Sequence, residues 1–140
     1  MVVADVPLVA AVTRSHPLAG RTGVALDALA SLPLITLTRG TGTRSVLDEA
    51  LTHRRLQPRI AFEASDPHLL AQLATHGLGV AVVPAPAVKA YQDELHQLTI
   101  TQPRMRARLA LSWQAEAPIS PATQAFIGHV RDAIGGARPA

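Results

Sequence analysis

Short apolar runs alternate with amphipathic stretches along this chain, and the alternation limits its fold more than any other feature. Apolar runs bounded by glycine, proline or charged residues predict buried strands. Such runs occupy residues 8–13, 34–37, 59–64 and 79–83. Apolar residues at helical spacing, on stretches that follow two of these runs, predict helices at residues 43–54 and 66–77. Strands and helices in this order predict an α/β fold with a parallel sheet built from βαβ units.

Local signals predict where several elements begin and end. Asp66 followed by a proline is a strong helix start, because the carboxylate can cap the helix and proline lacks an N–H that the first turn would leave unpaired. Gly77 predicts the end of the same helix, since glycine most easily adopts the left-handed conformation there. Residues 106–113 alternate polar with apolar side chains, which predicts a half-buried strand. Ser120 precedes a final helix.

Composition narrows the class of protein. A length of 140 residues suits one domain, and 48% hydrophobic but only 3% aromatic residues predict a core of leucine, valine, isoleucine and alanine. The chain has no cysteine, which fits a reduced cytoplasmic setting. No apolar run approaches the roughly 20 residues that cross a bilayer. We expect a soluble cytoplasmic protein without a membrane partner.

The basic residues are not expected to form a nucleic-acid site. The formal net charge is only +3, and the arginines are dispersed. We interpret Arg104, Arg106 and Arg108 as a solvated face rather than a phosphate grip. Trp113 and Tyr91 are too few and too far apart for base stacking. Direct DNA binding by this chain is therefore not expected.

A glycine-containing loop between a predicted strand and helix is the first candidate site. Backbone N–H groups, hydroxyls and the positive helix end converge there, which favours a carboxylate or another anion. The residues are Thr38, Arg39, Gly40, Thr41, Gly42 and Thr43. Alternatively, Thr41 or Thr43 only caps the helix while the glycines make the turn. Arg44 in the first turn opposes the helix dipole unless an anion or an acidic neighbour compensates.

A second candidate site is the strand end at Ser65 and Asp66, where ligands of open α/β sheets collect. We interpret Asp66 as a structural cap rather than a ligand contact.

Catalytic and metal sites are not expected. The six histidines have no metal-ligand spacing, and no serine lies in a Gly-x-Ser-x-Gly elbow. We predict no cofactor and no enzymatic activity.

The order of segments resembles a known family. The segments that carry the resemblance are His16-Pro17-Leu18-Ala19, Leu34-Ile35-Thr36, the glycine loop, Arg59-Ile60-Ala61-Phe62-Glu63 and Gly77-Leu78-Gly79-Val80-Ala81-Val82-Val83-Pro84. In this order and spacing they resemble the effector-binding domain of LysR-type transcriptional regulators, from about residue 6 to residue 134. The family's winged helix-turn-helix, linker helix and opening strand–helix units have no counterpart in this sequence.

The resemblance implies a fold like that of type 2 periplasmic binding proteins, with one complete Rossmann-like lobe plus part of a second. Residues 34–98 would form the complete lobe, while residues 1–33 and 101–134 would be parts of the other. Residues 135–140 are predicted to be a frayed tail. By the same resemblance, Ser65 matches a hydroxyl directed into the cleft between lobes, and Thr99 lies on the crossover that lines it.

The function implied is that of a sensor, which binds a small organic and often anionic effector, within a homo-oligomer. Three alternatives remain: an oligomerisation or interaction module, a truncated fragment with no autonomous role, and an enzyme built on the same fold. The lack of an acid, base and nucleophile constellation counts against the enzyme.

Overall fold

The computed structural model describes residues 1–114 and 118–135. Residues 136–140, most of the predicted frayed tail, lie outside the described part. The chain divides into two compact units, Asp5–Arg108 and Met1–Ala4 with Leu109–Ala140. The assignment of residues 34–98 to one lobe and of residues 1–33 and 101–134 to another stays a prediction.

Seven strands and five α-helices follow one another in the part of the chain that the structure describes. The strands are β1 (Val2–Thr13), β2 (Gly23–Ala25), β3 (Pro33–Leu37), β4 (Arg59–Ala64), β5 (Val80–Pro84), β6 (Leu95–Thr101) and β7 (Arg106–Ala110). The helices are α1 (Leu26–Ala30), α2 (Gly42–His53), α3 (Pro67–Thr75), α4 (Ala85–Lys89) and α5 (Pro121–Gly135), and a 3₁₀ turn spans Pro17–Gly20. The α/β class predicted from the alternation is confirmed.

The sheet is mixed rather than wholly parallel. Its strand order is β2-β6-β1-β5-β3-β4, and β7 also pairs with β1. β3 is parallel to both β4 and β5, and β2 is parallel to β6, as the βαβ pattern predicts. β1 is antiparallel to its neighbours β5 and β6. The prediction of a parallel sheet was wrong for this strand, because the crossover through α4 leaves space between β5 and β6 that β1 fills in the opposite direction.

Two apolar cores cover the two faces of the sheet, and β1 supplies both. Leu8, Ala10 and Val12 face one core, which includes α1 and α2, while Val9 and Ala11 face the other, with α3 and α4. This division follows from the two-residue period of a strand. All five residues are buried. The faces of the central strands are therefore covered on both sides, as a continuous apolar run indicates.

The end of α3 forms as its sequence predicts. Gly77 has a φ of +72°, in the left-handed region. Its N–H donates to the carbonyl of Ala74 at 2.9 Å, and the Leu78 N–H donates to the carbonyl of Leu73 at 3.4 Å. This pair of hydrogen bonds is the Schellman motif, which satisfies the last helical carbonyls.

The smaller unit has its own local contacts. Met1 and Leu111 exchange two backbone hydrogen bonds, of 2.9 and 2.8 Å. The Arg131 guanidinium lies 6.0 Å from the centre of the Trp113 ring.

Within the described residues, no helix combines the length and the apolar character needed to cross a bilayer.

Candidate functional site

The glycine loop connects the carboxyl end of β3 to the first turn of α2. Thr41 is the N-cap of α2: its hydroxyl accepts a hydrogen bond from the Arg44 N–H at 3.2 Å and donates to the Thr38 carbonyl at 2.9 Å. Gly40, with a φ of +92°, makes the turn in a conformation that glycine adopts without steric cost. Thr41 therefore has the capping role that the sequence left open. Whether the loop also holds an anion stays a prediction.

Two backbone donors of this loop remain open. Gly42 and Thr43 occupy the first two positions of α2, where a helix has no internal acceptor for an N–H group. No hydrogen bond from either N–H group occurs within residues 1–114 and 118–135. Arg39 and Gly40 are exposed, and Thr43 is half-buried. The loop thus presents N–H groups at the positive end of a 12-residue helix beside an exposed guanidinium.

Arg44 is buried beneath the loop, with only 2% of its surface exposed. Its Nε donates to Asp48 at 2.9 Å. Its Nη1 lies within hydrogen-bond distance of three acceptors on two strands: the Thr36 hydroxyl at 3.1 Å, the Leu37 carbonyl at 3.0 Å and the Glu63 carboxylate at 3.0 Å. The acidic neighbours that the sequence analysis required to offset Arg44 are therefore present. The guanidinium interacts with groups of the protein itself.

These partners keep the Arg44 guanidinium in its charged form. Burial lowers the pKa of the guanidinium, but the hydrogen bonds that it donates to Asp48 and Glu63 outweigh burial and raise the pKa above its usual range. Arg44 offsets one of the two negative charges of Asp48 and Glu63, so this cluster keeps a net charge of −1 beneath the loop. Arg39 is left as the loop guanidinium without a partner among the described residues.

The second candidate loop is bonded to the first. The Thr38 N–H donates to the carbonyl of Ala64, the last residue of β4, at 3.1 Å. Ser65 follows directly and is exposed. Asp66 caps α3, and its carboxylate accepts the His68 N–H at 2.9 Å. The structure therefore brings Ser65 next to the glycine loop, and it gives Asp66 the capping role that the sequence predicts.

Thr99 lies elsewhere on the sheet. It is an exposed residue of β6, and β1 and β5 separate β6 from β3. At about 4.8 Å per strand, three strand spacings lie between Thr99 and the glycine loop. The fold of this unit does not place Thr99 beside the other candidates, and its contribution to a cleft stays a prediction.

The sequence reasoning missed Glu63 and Thr36, which hold Arg44 in place. Asp48 could have been found, because it lies four residues after Arg44 on the same helix and such pairs face each other. Glu63 could not be assigned, since its contact with Arg44 depends on the pairing of β3 with β4. Of the histidines, His16 is placed as a turn residue: its Nδ1 accepts the Leu18 N–H at 3.1 Å.

Similar proteins are known. The family model described as the LysR substrate binding domain matches residues 1–135. The chain is 27% identical over 120 residues to the uncharacterized HTH-type transcriptional regulator YybE of Bacillus subtilis, covering 85% of this chain and 40% of that protein. It is 38% identical over 72 residues to the HTH-type transcriptional regulator cbl of Klebsiella aerogenes, covering 51% of this chain and 23% of that protein. The chain thus spans less than half the length of these relatives.

Solved structures show the same fold. The regulatory domain of CcmR from Synechocystis PCC6803, in complex with 2-PG, superposes with a TM-score of 0.78 at 25% identity, covering 98% of this chain and 67% of that one. The effector binding domain of QuiR in complex with shikimate gives a TM-score of 0.81 at 21% identity, covering 99% and 66%. The type 2 periplasmic-binding-protein-like class inferred from the segment order is confirmed. With a family model that matches nearly all of its length, the chain belongs to the LysR substrate-binding domain family.

Proposed function

We propose that this chain senses a small organic anion, which binds at the carboxyl edge of the sheet where the glycine loop meets Ser65. The observation that carries the proposal is the pair of open N–H groups of Gly42 and Thr43 at the start of α2. A helix start of this kind favours a carboxylate or a phosphate. Arg39 supplies a positive charge at the same loop, and the hydroxyls of Thr43 and Ser65 supply further hydrogen bonds.

The relatives support the choice of ligand class. The CcmR domain is described in complex with 2-PG and the QuiR domain with shikimate, both small organic molecules. The whole regulator would couple binding to transcription, as the curated relatives are described as transcriptional regulators. We place the protein in the cytoplasm, where a regulator of that kind and a chain without cysteine both fit. The same relatives support a binding role rather than a catalytic one.

The test removes one N–H group without disturbing the helix. Gly42→Pro deletes the N–H at the first helical position, where proline is well tolerated. The preceding residue Thr41 already has the extended conformation that proline requires, with φ −83° and ψ 145°. Gly42→Ala is the matched control, because it keeps the N–H and its Cβ meets nothing within 4 Å.

The measurement is calorimetric titration with a panel of small carboxylates that starts with shikimate, each paired with its uncharged methyl ester. We expect binding of at least one carboxylate and no binding of its ester. Gly42→Pro should weaken binding about ten-fold, since a hydrogen bond to a charged group contributes about 1.5 kcal/mol or more. Arg39→Ala, at an exposed arginine, should weaken binding about three- to five-fold. A carboxylate that binds all variants equally well would place the site elsewhere.

We also propose that a second copy of the chain packs against the edge formed by β4 and α3. β4 ends the sheet, and Phe62 on it is 42% exposed. Leu69 on α3, which packs against β4, is 43% exposed. Large apolar side chains exposed on an edge strand and its helix favour association with another surface.

Light scattering over a range of concentrations tests this surface. We expect a dimer that Phe62→Glu dissociates, while Thr52→Glu, at an exposed position of α2, leaves the dimer intact. A monomer at all concentrations, or a dimer that resists Phe62→Glu, would contradict the proposed surface.

A further inference from the structure

A groove on the larger unit is independent of the two loops described above. It has a volume of about 760 Å³, within the range of small-molecule sites. One wall is formed by α2, and the other by the link between β6 and β7 with the start of β7. None of the predicted effector-binding residues lines it.

The floor of the groove is apolar. Val46 and Ala50 come from α2, while Pro103 and Met105 come from the link between β6 and β7. Ala50 and Met105 are buried, and Val46 packs against the same apolar core. A ligand in this groove would therefore place an apolar body between a helix and a loop, where it is removed from water.

The rim of the groove is positively charged. Arg104 has no hydrogen-bond or ion-pair partner in the described part of the chain. Arg106 and Arg108 share a single carboxylate, that of Asp5, at 2.6 and 3.4 Å. Three guanidinium groups thus lie on this wall, and the carboxylate of Asp5 pairs with two of them. The side chain of Arg108 remains 67% exposed.

The opposite wall changes this balance only in part. Arg54 is paired with Asp27 through two hydrogen bonds of 2.9 and 2.7 Å and contributes no excess charge. Glu49 adds one negative charge, and His53 is a further polar side chain of the same wall. An excess of positive charge remains on the rim, where Arg104 is a guanidinium without an acidic partner among the described residues.

We propose that this groove is a second binding site, for an organic carboxylate with an apolar ring or branched body. The body would lie on the floor between Ala50 and Met105, and the carboxylate would meet Arg104 at the rim. A ligand without an apolar body would gain little from the floor, and one without charge would gain little from the rim. The groove therefore selects for the combination of the two.

The sequence provides a clean local probe. Met105 and Met1 are the two methionines of the chain, and Met105 lies in the floor. Labelling the methionine methyl groups with ¹³C gives one NMR signal from the groove and one reference signal. We would titrate 2-naphthoate into the labelled chain, with 2-naphthamide as the uncharged analogue and acetate as the anion without an apolar body.

We expect 2-naphthoate to shift the Met105 signal at concentrations where neither control compound does. Arg104→Ala should weaken this affinity about three- to five-fold, as expected for an exposed charge pair. Glu49→Gln should strengthen it about two-fold by removing the opposing charge. Arg59→Ala, at an exposed arginine outside the groove, should leave it unchanged. Arg104 is exposed, so its removal should not alter the thermal melting of the free chain.

Three results would overturn the proposal: an equal shift with 2-naphthamide, an affinity unchanged by Arg104→Ala, or no response of the Met105 signal to 2-naphthoate. A Met105 signal that shifts with protein concentration alone would assign the groove to a second copy of the chain instead. Gly42→Pro keeps the groove intact and Arg104→Ala keeps the glycine loop intact. Failure of this proposal is therefore distinguishable from failure of the effector site proposed above.

Discussion

The Arg44 guanidinium donates to the Glu63 carboxylate at 3.0 Å, although 19 residues separate them in the chain. Arg44 belongs to the first turn of α2 and Glu63 to the edge strand β4. The contact joins α2 to β4, the strand that pairs with β3, and β3 is the strand that precedes α2 in the chain. Because Nη1 also contacts Thr36 and Leu37 of β3, one side chain fixes the start of α2 against both strands.

Arg44→Met should lower the free energy of unfolding by about 2–3 kcal/mol. Removing one member of a buried ion pair typically costs about 3–5 kcal/mol, and the cost is smaller here because Asp48 and Glu63 are 42% and 40% exposed and can rehydrate. Urea denaturation measures the effect. Arg59→Met, at an exposed position, is the control. A loss below about 0.5 kcal/mol, the range of ordinary surface substitutions, would contradict the structural role of Arg44.

Gly79→Ala should destabilise the chain by about 1–3 kcal/mol, the usual cost of overpacking a core. An added Cβ would lie 2.8 Å from the Pro33 carbonyl oxygen and 3.1 Å from Cγ1 of Ile35. β5 begins beside β3 at this point, so neither neighbour can move freely. Gly20→Ala is the matched control, because its Cβ meets nothing within 4 Å. Equal melting temperatures of the two variants would argue against the close approach at Gly79.

Asp66→Ala should cost about 1 kcal/mol through loss of the N-cap of α3. The carboxylate accepts the His68 N–H, which otherwise has no acceptor within the first turn. Asp66→Ser should restore most of the stability, since serine caps helices about as well as aspartate. If the role of Asp66 were ligand binding alone, all three forms would unfold at the same denaturant concentration.

The ion pair between Asp27 and Arg54 predicts a dependence of stability on pH. The hydrogen bond from Arg54 holds the pKa of Asp27 below its usual range. A pKa that is lower in the folded state contributes stability above the unfolded value of about 3.9, and this stability is lost as the pH falls through the folded value. The melting temperature of Asp27→Asn should therefore fall less between pH 5 and pH 3 than that of the unsubstituted chain. An identical fall in both would show that the pair contributes nothing.

The elements that could be predicted from the sequence are those set by neighbouring residues. Asp66 and Gly77 delimit α3 correctly, because capping and left-handed conformation are local properties. β2, Gly23–Ala25, was not predicted. It has only three residues, and it is a strand because it pairs with β6 more than 70 positions further along the chain. A short strand of this kind has no period from which it could be recognised.

The candidate site divides in the same way. The glycine loop and Ser65 follow strand ends that the sequence places correctly. The hydrogen bond between these loops, and the packing of Arg44 beneath one of them, depend on the order of strands in the sheet. The groove beside α2 was missed for the same reason: Arg104, Arg106 and Arg108 were interpreted as a solvated face, and the helix opposite them is distant in sequence.

The backbone hydrogen bond from Thr38 to Ala64 joins the two loops at the edge of the sheet. In the proposed binding mode, the two loops are already joined before the effector binds. The effector therefore does not lose affinity to the entropic cost of ordering them. It binds to a single preformed surface, in which the distance between neighbouring strands sets the distance between the two loops. Discrimination among effectors would then depend on molecular dimensions as much as on charge, and an anion of the wrong length would be rejected even though every donor is in place.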